Sequence, residues 1–224
     1  MKSISHSCRC LAGLCALLLA ALLCTVSGCA TGKNAPVSGR PGAGLAEYTA
    51  LVEHSRAAVD TALQSLDKLD RQTLPLSRKS IESFSDEVDR LASESVEVRA
   101  RSQAMQTRGD AYFENWHENL AKVDDPAFRQ RAEEHRTELQ QRFTKVKLSS
   151  QKTRESFRAF LAGLRNLRSA VEKDPQAWGS DATRQLAQTT RQNGADVEKG
   201  LDAIHDELRA MTALVLPNGS AGKE

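Results

Sequence analysis

Residues 120–129, LAKVDDPAFR, separate two long segments that repeat apolar residues every three or four positions. That heptad rhythm is typical of helices that pack side by side. Asp125 can accept the free amides of a new helix, and Pro126 suits the first helical position because its φ angle is already fixed. The sequence therefore predicts two long antiparallel helices, running from Ile81 to Val171 and folded back at this turn.

Each arm of this hairpin has one apolar seam. The outgoing seam comprises Ile81, Phe84, Val88, Leu91, Ser95, Val98, Ser102, Met105, Gly109, Tyr112, Trp116, Asn119 and Val123. The returning seam comprises Phe143, Val146, Ser150, Thr153, Phe157, Phe160, Leu164, Leu167 and Val171, after Phe128, Ala132, His135 and Leu139. At about 1.5 Å per residue, each arm would be on the order of 65 to 70 Å long. The predicted fold is all-α: an elongated antiparallel helical bundle with a long coiled-coil hairpin.

Two shorter helices flank the hairpin. The first has an apolar seam from Leu45 to Leu69 and ends near Pro75, which disfavours a helical conformation in the residue before it. The last runs from about residue 180 to residue 216, and 217–224 read as a disordered tail. Folding back after the first helix would place Tyr48 near Ser102. The predicted helical domain is therefore 45–216, with four helices in its lower half and only two near the tip, roughly 106–140.

The N-terminus has the pattern of a secretory signal peptide over residues 1–28. Basic residues precede an apolar run at 11–23, and small residues follow it. Val26-Ser27-Gly28-Cys29 resembles the lipobox of bacterial lipoproteins. That resemblance implies that Cys29 becomes the first mature residue and carries a diacylglyceryl thioether and an N-linked acyl chain such as palmitate. Residues 29–44 are rich in Gly, Pro, Ser and Ala and read as a flexible tether. With Ala30 after the cysteine, the resemblance implies the periplasmic face of the outer membrane.

Cysteine and charge exclude several classes of function for the mature chain. All five cysteines lie at or before Cys29, so neither a disulfide nor a free thiol nucleophile is available. The chain has 31 Lys and Arg against 29 Asp and Glu, and the excess is Lys2 and Arg9 in the signal peptide. The mature protein is formally neutral. This balance argues against nucleic-acid binding, which requires a basic surface.

One segment resembles a known family. Arg108-Gly109-Asp110-Ala111-Tyr112-Phe113-Glu114-Asn115-Trp116-His117, with Phe128-Arg129 and residues 157–161, FRAFL, is similar to bacterial lipoprotein-type proteins grouped as domain of unknown function 2959. The resemblance implies a periplasm-facing helical protein without an established activity. It supplies no functional residues.

Catalytic and metal-binding motifs are weak in this sequence. Glu114-x-x-His117 has the spacing used by four-helix di-iron proteins, but those sites need a second such pair and further carboxylates. The nearest second case, Asp202-x-x-His205, is on another helix, and neither pair lies on an apolar seam. The C-terminal Gly and Lys residues lack the spacing of a P-loop. We therefore predict no enzyme activity and no cofactor.

Aromatic residues are concentrated near the hairpin tip, at Tyr112, Phe113, Trp116 and Phe128. They either form the core of the two-helix stalk or leave an aromatic side chain, Phe113 or one edge of Trp116, exposed as a contact. The leading hypothesis is a noncatalytic scaffold or adaptor whose tip binds an envelope protein or a second copy of the chain.

Two alternatives to the adaptor stay open. A carrier of an apolar ligand would enclose a cavity between the four helices, among Val59, Leu91, Phe157 and Leu201. A metal-binding or hydrolytic protein would need Glu114, His117 and carboxylates of the returning arm to converge.

Overall fold

The computed structural model describes residues 41–215. They form α1 (Pro41–Asp70), α2 (Arg78–Leu120), α3 (Pro126–Lys173) and α4 (Asp181–Val215), with a 3-10 turn at Ala177–Gly179. No strand occurs in this range, and the all-α prediction is confirmed. Within the same range, no helix is both long and apolar enough to cross a membrane. Four predicted features lie outside the described residues: the signal peptide, the lipidation site at Cys29, the tether before residue 41 and the tail at 217–224.

The predicted turn between the long helices is confirmed. The Asp125 carboxylate accepts hydrogen bonds from the backbone amides of Ala127 at 2.9 Å and Phe128 at 3.2 Å. Pro126 is the first residue of α3, where a missing amide hydrogen costs no helical hydrogen bond. The Arg129 side chain donates to the carbonyl of Val123 across the turn at 3.0 Å. Local capping is therefore sufficient to reverse the chain here.

Helix α1 begins earlier than the sequence pattern indicates. Its first residue is Pro41, so the last four positions of the predicted tether, 41–44, are helical. Proline is well tolerated at a helix start, because its φ angle is close to the helical value and its missing amide hydrogen has no intrahelical partner there.

The helices pack in a cyclic order. Helix α1 contacts α2 and α4, and α3 contacts the same two helices. The predicted proximity of Tyr48 and Ser102 is confirmed, because their hydroxyl oxygens are 3.0 Å apart. Further towards the tip, Glu47 of α1 pairs with Arg108 at 3.4 Å, and Glu207 of α4 pairs with Arg142 at 3.3 Å. Helix α1 extends six residues beyond Glu47, to Pro41, and α4 extends eight residues beyond Glu207, to Val215. Only α2 and α3 continue past these two helix ends, so the two-helix stalk is shorter than the predicted 106–140.

Small residues allow α3 and α4 to approach each other closely. A Cβ atom on Gly163 would lie 3.0 Å from Cγ2 of Thr190, and a Cβ on Gly200 would lie 3.1 Å from Cβ of Thr153. Such distances are too short for comfortable packing. Glycine inside a helix costs about 1 kcal/mol relative to alanine. The close contact with α3 explains why α4 contains Gly200 despite this cost.

The opposite end of the bundle is closed by a buried tryptophan. The indole nitrogen of Trp178 donates to the Asp70 carboxylate at 3.2 Å, and its side chain is buried. The amide of Leu76 donates to the carbonyl of Pro175 at 3.1 Å, which joins the two loops at this end. The peptide bond between Leu74 and Pro75 is cis. The sequence pattern placed the start of the last helix near residue 180 but did not indicate that Trp178 is buried.

Candidate functional site

The aromatic cluster of the hairpin tip is packed rather than open. Phe113 is only 5% exposed, and its ring lies 5.6 Å from that of Phe143 on α3. Tyr112 packs edge-on against Phe113 at 5.5 Å and against Trp116 at 5.6 Å. The Trp116 ring in turn lies 5.7 Å from the ring of His135. Of the two alternatives for the tip aromatics, core packing holds for Phe113, and Phe113 is not an exposed contact.

Two features explain the burial of Phe113. Gly109 leaves room for the Phe143 ring: a Cβ at this position would lie 2.8 and 2.9 Å from two ring atoms. In addition, the buried face of α2 shifts by one residue near the tip, so that Phe113 and Leu120 face α3 while Asn119 is exposed. A straight α-helix drifts relative to a strict seven-residue repeat, which accounts for such a shift over a helix of this length.

Phe128 differs from the other three aromatic residues. It lies in the first turn of α3, and 51% of its side chain is exposed. Tyr112 and Trp116 are half-buried. Of the four predicted contact residues, only Phe128 is exposed. The tip therefore offers one aromatic side chain rather than an aromatic patch.

Two pKa shifts occur near the tip. A side-chain hydrogen bond from Arg136 holds the pKa of Glu133 below its ordinary value, and burial raises the pKa of Tyr112. Because the folded pKa of Glu133 is depressed, its contribution to stability is complete above the unfolded pKa of about 4.3. That contribution is lost as the pH falls through the folded value. The Glu133 shift reflects its ion pair with Arg136, and the Tyr112 shift reflects burial of a neutral phenol.

A cavity of about 130 Å³ lies between the helices in the four-helix part of the bundle. The four residues predicted for an apolar pocket, Val59, Leu91, Phe157 and Leu201, all line it. The other lining residues are Tyr48, Leu51, Val52, Ser55, Ala58, Glu94, Ser95, Val98, Arg99, Ser102, Ser150, Thr153, Arg154, Val197 and Ile204. Each of the four helices contributes to the wall.

Several hydroxyl-bearing residues line the cavity, yet its surface is mostly apolar. The hydroxyl of Ser55 donates to the carbonyl of Leu51 at 2.8 Å, that of Ser95 to Ala92 at 2.7 Å, and that of Thr153 to Ser149 at 2.8 Å. In each case the hydroxyl donates to a backbone carbonyl of its own helix, three or four residues earlier. The donors are already satisfied, so an apolar group can occupy the cavity without leaving them unpaired.

One end of the cavity is polar. The Tyr48 hydroxyl lies 3.0 Å from the hydroxyl of Ser102 and 3.2 Å from that of Ser150, and it accepts from the Gln106 side-chain amide at 3.3 Å. Tyr48 and Ser150 are both buried. This network closes the cavity towards the hairpin tip.

Charged residues lie at the cavity wall as well. Glu94 is bound by Arg90 at 2.7 Å, and its other carboxylate oxygen is buried without a hydrogen-bond partner, 3.7 Å from His54. Arg99 and Arg154 also line the cavity. The sequence pattern did not identify these two arginines. The sequence feature that could have indicated them is the group of small seam residues, Ser95 and Ser102 in α2 and Ser150 in α3. These residues leave space next to the two arginines.

The residues considered for metal binding do not converge. Glu114 and His117 are both exposed on α2. His205 lies 3.5 Å from Glu53 of α1, far along the chain from that pair. Among residues 41–215, no group of three or more His, Cys, Asp and Glu side chains is arranged to hold a metal ion. Neither Glu-x-x-His nor Asp-x-x-His therefore contributes to the candidate site.

Within residues 41–215, the cavity is a candidate ligand site and the hairpin tip is a candidate protein contact. Comparisons with protein-family models, with curated proteins and with solved structures give no match to this chain. The similarity of residues 108–117 to domain of unknown function 2959 stays a prediction from the sequence.

Proposed function

We propose that this protein is a noncatalytic lipoprotein of the bacterial cell envelope that binds an apolar ligand inside its helical bundle. The observation that supports ligand binding is the cavity of about 130 Å³ lined by Val59, Leu91, Phe157 and Leu201. Well-packed protein interiors contain few voids larger than a water molecule. An apolar cavity of about 150 Å³ is able to bind a small apolar molecule such as benzene.

The position of the cavity also favours binding over a simple packing defect. It lies between four long helices, which is a common place for ligand sites in helical bundles. Small seam residues on two helices, Ser95 and Ser102 of α2 and Ser150 of α3, stand where larger apolar residues would fill the space. An empty apolar cavity costs stability. A ligand that fills it would recover part of that stability.

Filling the cavity by mutation tests this proposal. Ala58→Leu adds three carbon atoms at the wall, and we expect it to remove the binding of benzene that the parent protein shows by NMR titration. Its free energy of unfolding should be unchanged or higher by about 1 kcal/mol, because apolar surface is buried in empty space. Ala62 lies one turn further along α1 and is fully buried. Ala62→Leu should instead destabilise by about 1–3 kcal/mol through overpacking. Absence of benzene binding to the parent protein would contradict the proposal.

Attachment to the membrane is proposed from the lipobox-like residues 26–29. We expect Cys29→Ser to abolish incorporation of labelled palmitate and to move the protein out of the detergent-extracted membrane fraction, because acyl chains would provide the anchor. Cys24→Ser, inside the proposed signal peptide, is the matched control and should leave both unchanged. Labelling that persists in the Cys29 variant would show that the anchor is elsewhere. Ala30 supports the periplasmic face of the outer membrane as the location.

An adaptor function is the second candidate, supported by the exposed ring of Phe128. With 51% of its side chain exposed at the end of a two-helix stalk, it is accessible to an envelope protein. Aromatic residues, phenylalanine included, are enriched at protein–protein interfaces relative to the rest of the protein surface. The burial of Phe113 confines this candidate to a smaller surface than the sequence indicated.

A further inference from the structure

The seam between α2 and α3 carries charged pairs whose register can be read directly. Asp89 pairs with Arg168 at 2.6 Å, and Asp110 pairs with Lys147 at 2.8 Å. Because the helices are antiparallel, each step forward along α2 is matched by one step backward along α3: Asp110 is 21 residues after Asp89, and Lys147 is 21 residues before Arg168. This register places Arg99 opposite Arg158 and brings Arg154 within one turn of both.

These three arginines form a basic segment between the two ion pairs. Within residues 41–215, none of the three has a carboxylate within ion-pair distance, whereas Arg168 and Lys147 on either side do. Like charges on facing helices repel one another. Arg99 and Arg158 are exposed and Arg154 is half-buried. The positive charge of this segment is therefore not neutralised by any described carboxylate, and the segment can bind an anion.

The basic segment lies at the edge of the apolar cavity. Arg99 and Arg154 line the cavity itself. Arg154 also lines an open groove of about 460 Å³ on the surface, together with Arg158 and Leu148. Leu148 is 63% exposed. Arg154 thus lines both the apolar cavity and the surface groove, and both are partly open to solvent, so one ligand can reach both.

We infer that the ligand is an anionic amphiphile whose apolar chain enters the cavity and whose acidic head binds Arg99, Arg154 and Arg158, an assignment that rests on the proposed ligand-binding function. Guanidinium groups bind carboxylates and phosphates through paired, charge-assisted hydrogen bonds. Glu155 also lines the groove and Glu94 lines the cavity. Glu94 is held by Arg90, so its charge opposes that of the arginines less than an unpaired carboxylate would.

The acid of such a ligand has two possible sources: a free fatty acid or the phosphate of a lysophospholipid. Both present one acyl chain and one anionic head, and both suit the same arginines. A neutral alcohol of equal chain length separates the contribution of the head from that of the chain. Calorimetric titration of the mature chain, residues 29–224 with Cys29→Ser, with hexanoate, hexanoyl lysophosphatidylglycerol and 1-hexanol makes this comparison, because a chain of about six carbons matches the volume of the cavity.

The parent protein should bind at least one of the two acids about tenfold or more tightly than 1-hexanol, and the preferred acid identifies the source. Combining Arg99→Gln with Arg154→Gln should weaken binding of that acid about tenfold and leave 1-hexanol binding unchanged. Arg101→Gln is the matched control on the same helix, because Arg101 pairs with Glu97 away from the groove. Thermal unfolding of each variant checks that the bundle is intact.

The two proposals fail in distinguishable ways. If the acids and the alcohol bind with equal affinity and the double substitution has no effect, the arginines do not recognise an acidic head group. The apolar cavity would then still be a binding site. If neither the acids nor 1-hexanol bind, both the head and the proposed ligand-binding function are wrong. Loss of 1-hexanol binding in the double variant would show that the arginines shape the cavity rather than recognise an acid.

Discussion

Phe113→Ala is expected to lower the free energy of unfolding by about 3–5 kcal/mol, the usual cost of removing a buried phenylalanine ring. Phe113 is 5% exposed and contacts the rings of Tyr112 and Phe143. Its ring packs against Phe143 of the facing helix, so removing it leaves a void between α2 and α3. Chemical denaturation of the mature chain would measure the loss.

Phe128→Ala is the matched comparison on the same tip. With half of its ring in solvent, this substitution should change stability by no more than about 0.5 kcal/mol. A photoreactive residue at position 128 should then crosslink an envelope protein in intact cells if the adaptor function is correct, and one at Glu138 should not. Equal destabilisation by both substitutions would mean that Phe128 is also part of the packed core. A stable Phe113→Ala protein would mean that this residue is not a core residue.

Phe160→Ala is expected to have a comparably large effect, about 3–5 kcal/mol. Phe160 is fully buried and lies 3.0 Å from the position that a Cβ of Gly194 would take, so α3 and α4 are in close contact around its ring. Removing the ring leaves a void between the two helices, and their backbones are too tightly packed to close it. Thermal and chemical unfolding should both report the loss.

Phe157, one turn away, provides the internal control. Its ring is 6.5 Å from that of Phe160, but it is half-buried and borders the cavity. Because open space already lies beside it, Phe157→Ala should cost less than Phe160→Ala and should enlarge the cavity. The Phe157 variant should therefore still bind benzene and should accept larger apolar ligands. An equal cost at both positions would indicate that the wall at Phe157 is as tightly packed as the core.

The hairpin and its turn could be predicted because they depend on local interactions. Asp125 and Pro126 define the start of α3 through backbone hydrogen bonding and a fixed φ angle, and neither needs a distant residue. The apolar seams specify which face of each helix is buried, and the proximity of Tyr48 and Ser102 followed from helix lengths alone. The N-terminal targeting signal is likewise a local pattern, and its assignment stays a prediction.

The details of the candidate site depend on several helices at once. The heptad pattern predicted Asn119 in the seam, but drift along α2 places Leu120 there and turns Phe113 inward. Arg99 lies about half of the hairpin away in sequence from Arg154 and Arg158. Only the register of α2 against α3 places it opposite them.

Sequence alone was sufficient for the number of long helices, their direction and the position of the turn, because period, capping and proline act within a few residues. The tertiary structure decided which aromatic residues are buried, where small seam residues leave a cavity, and which charges lack a partner. Those properties follow from distances between side chains on different helices. Such distances are determined by close packing, as at Gly163 against Thr190 and at Gly109 against Phe143.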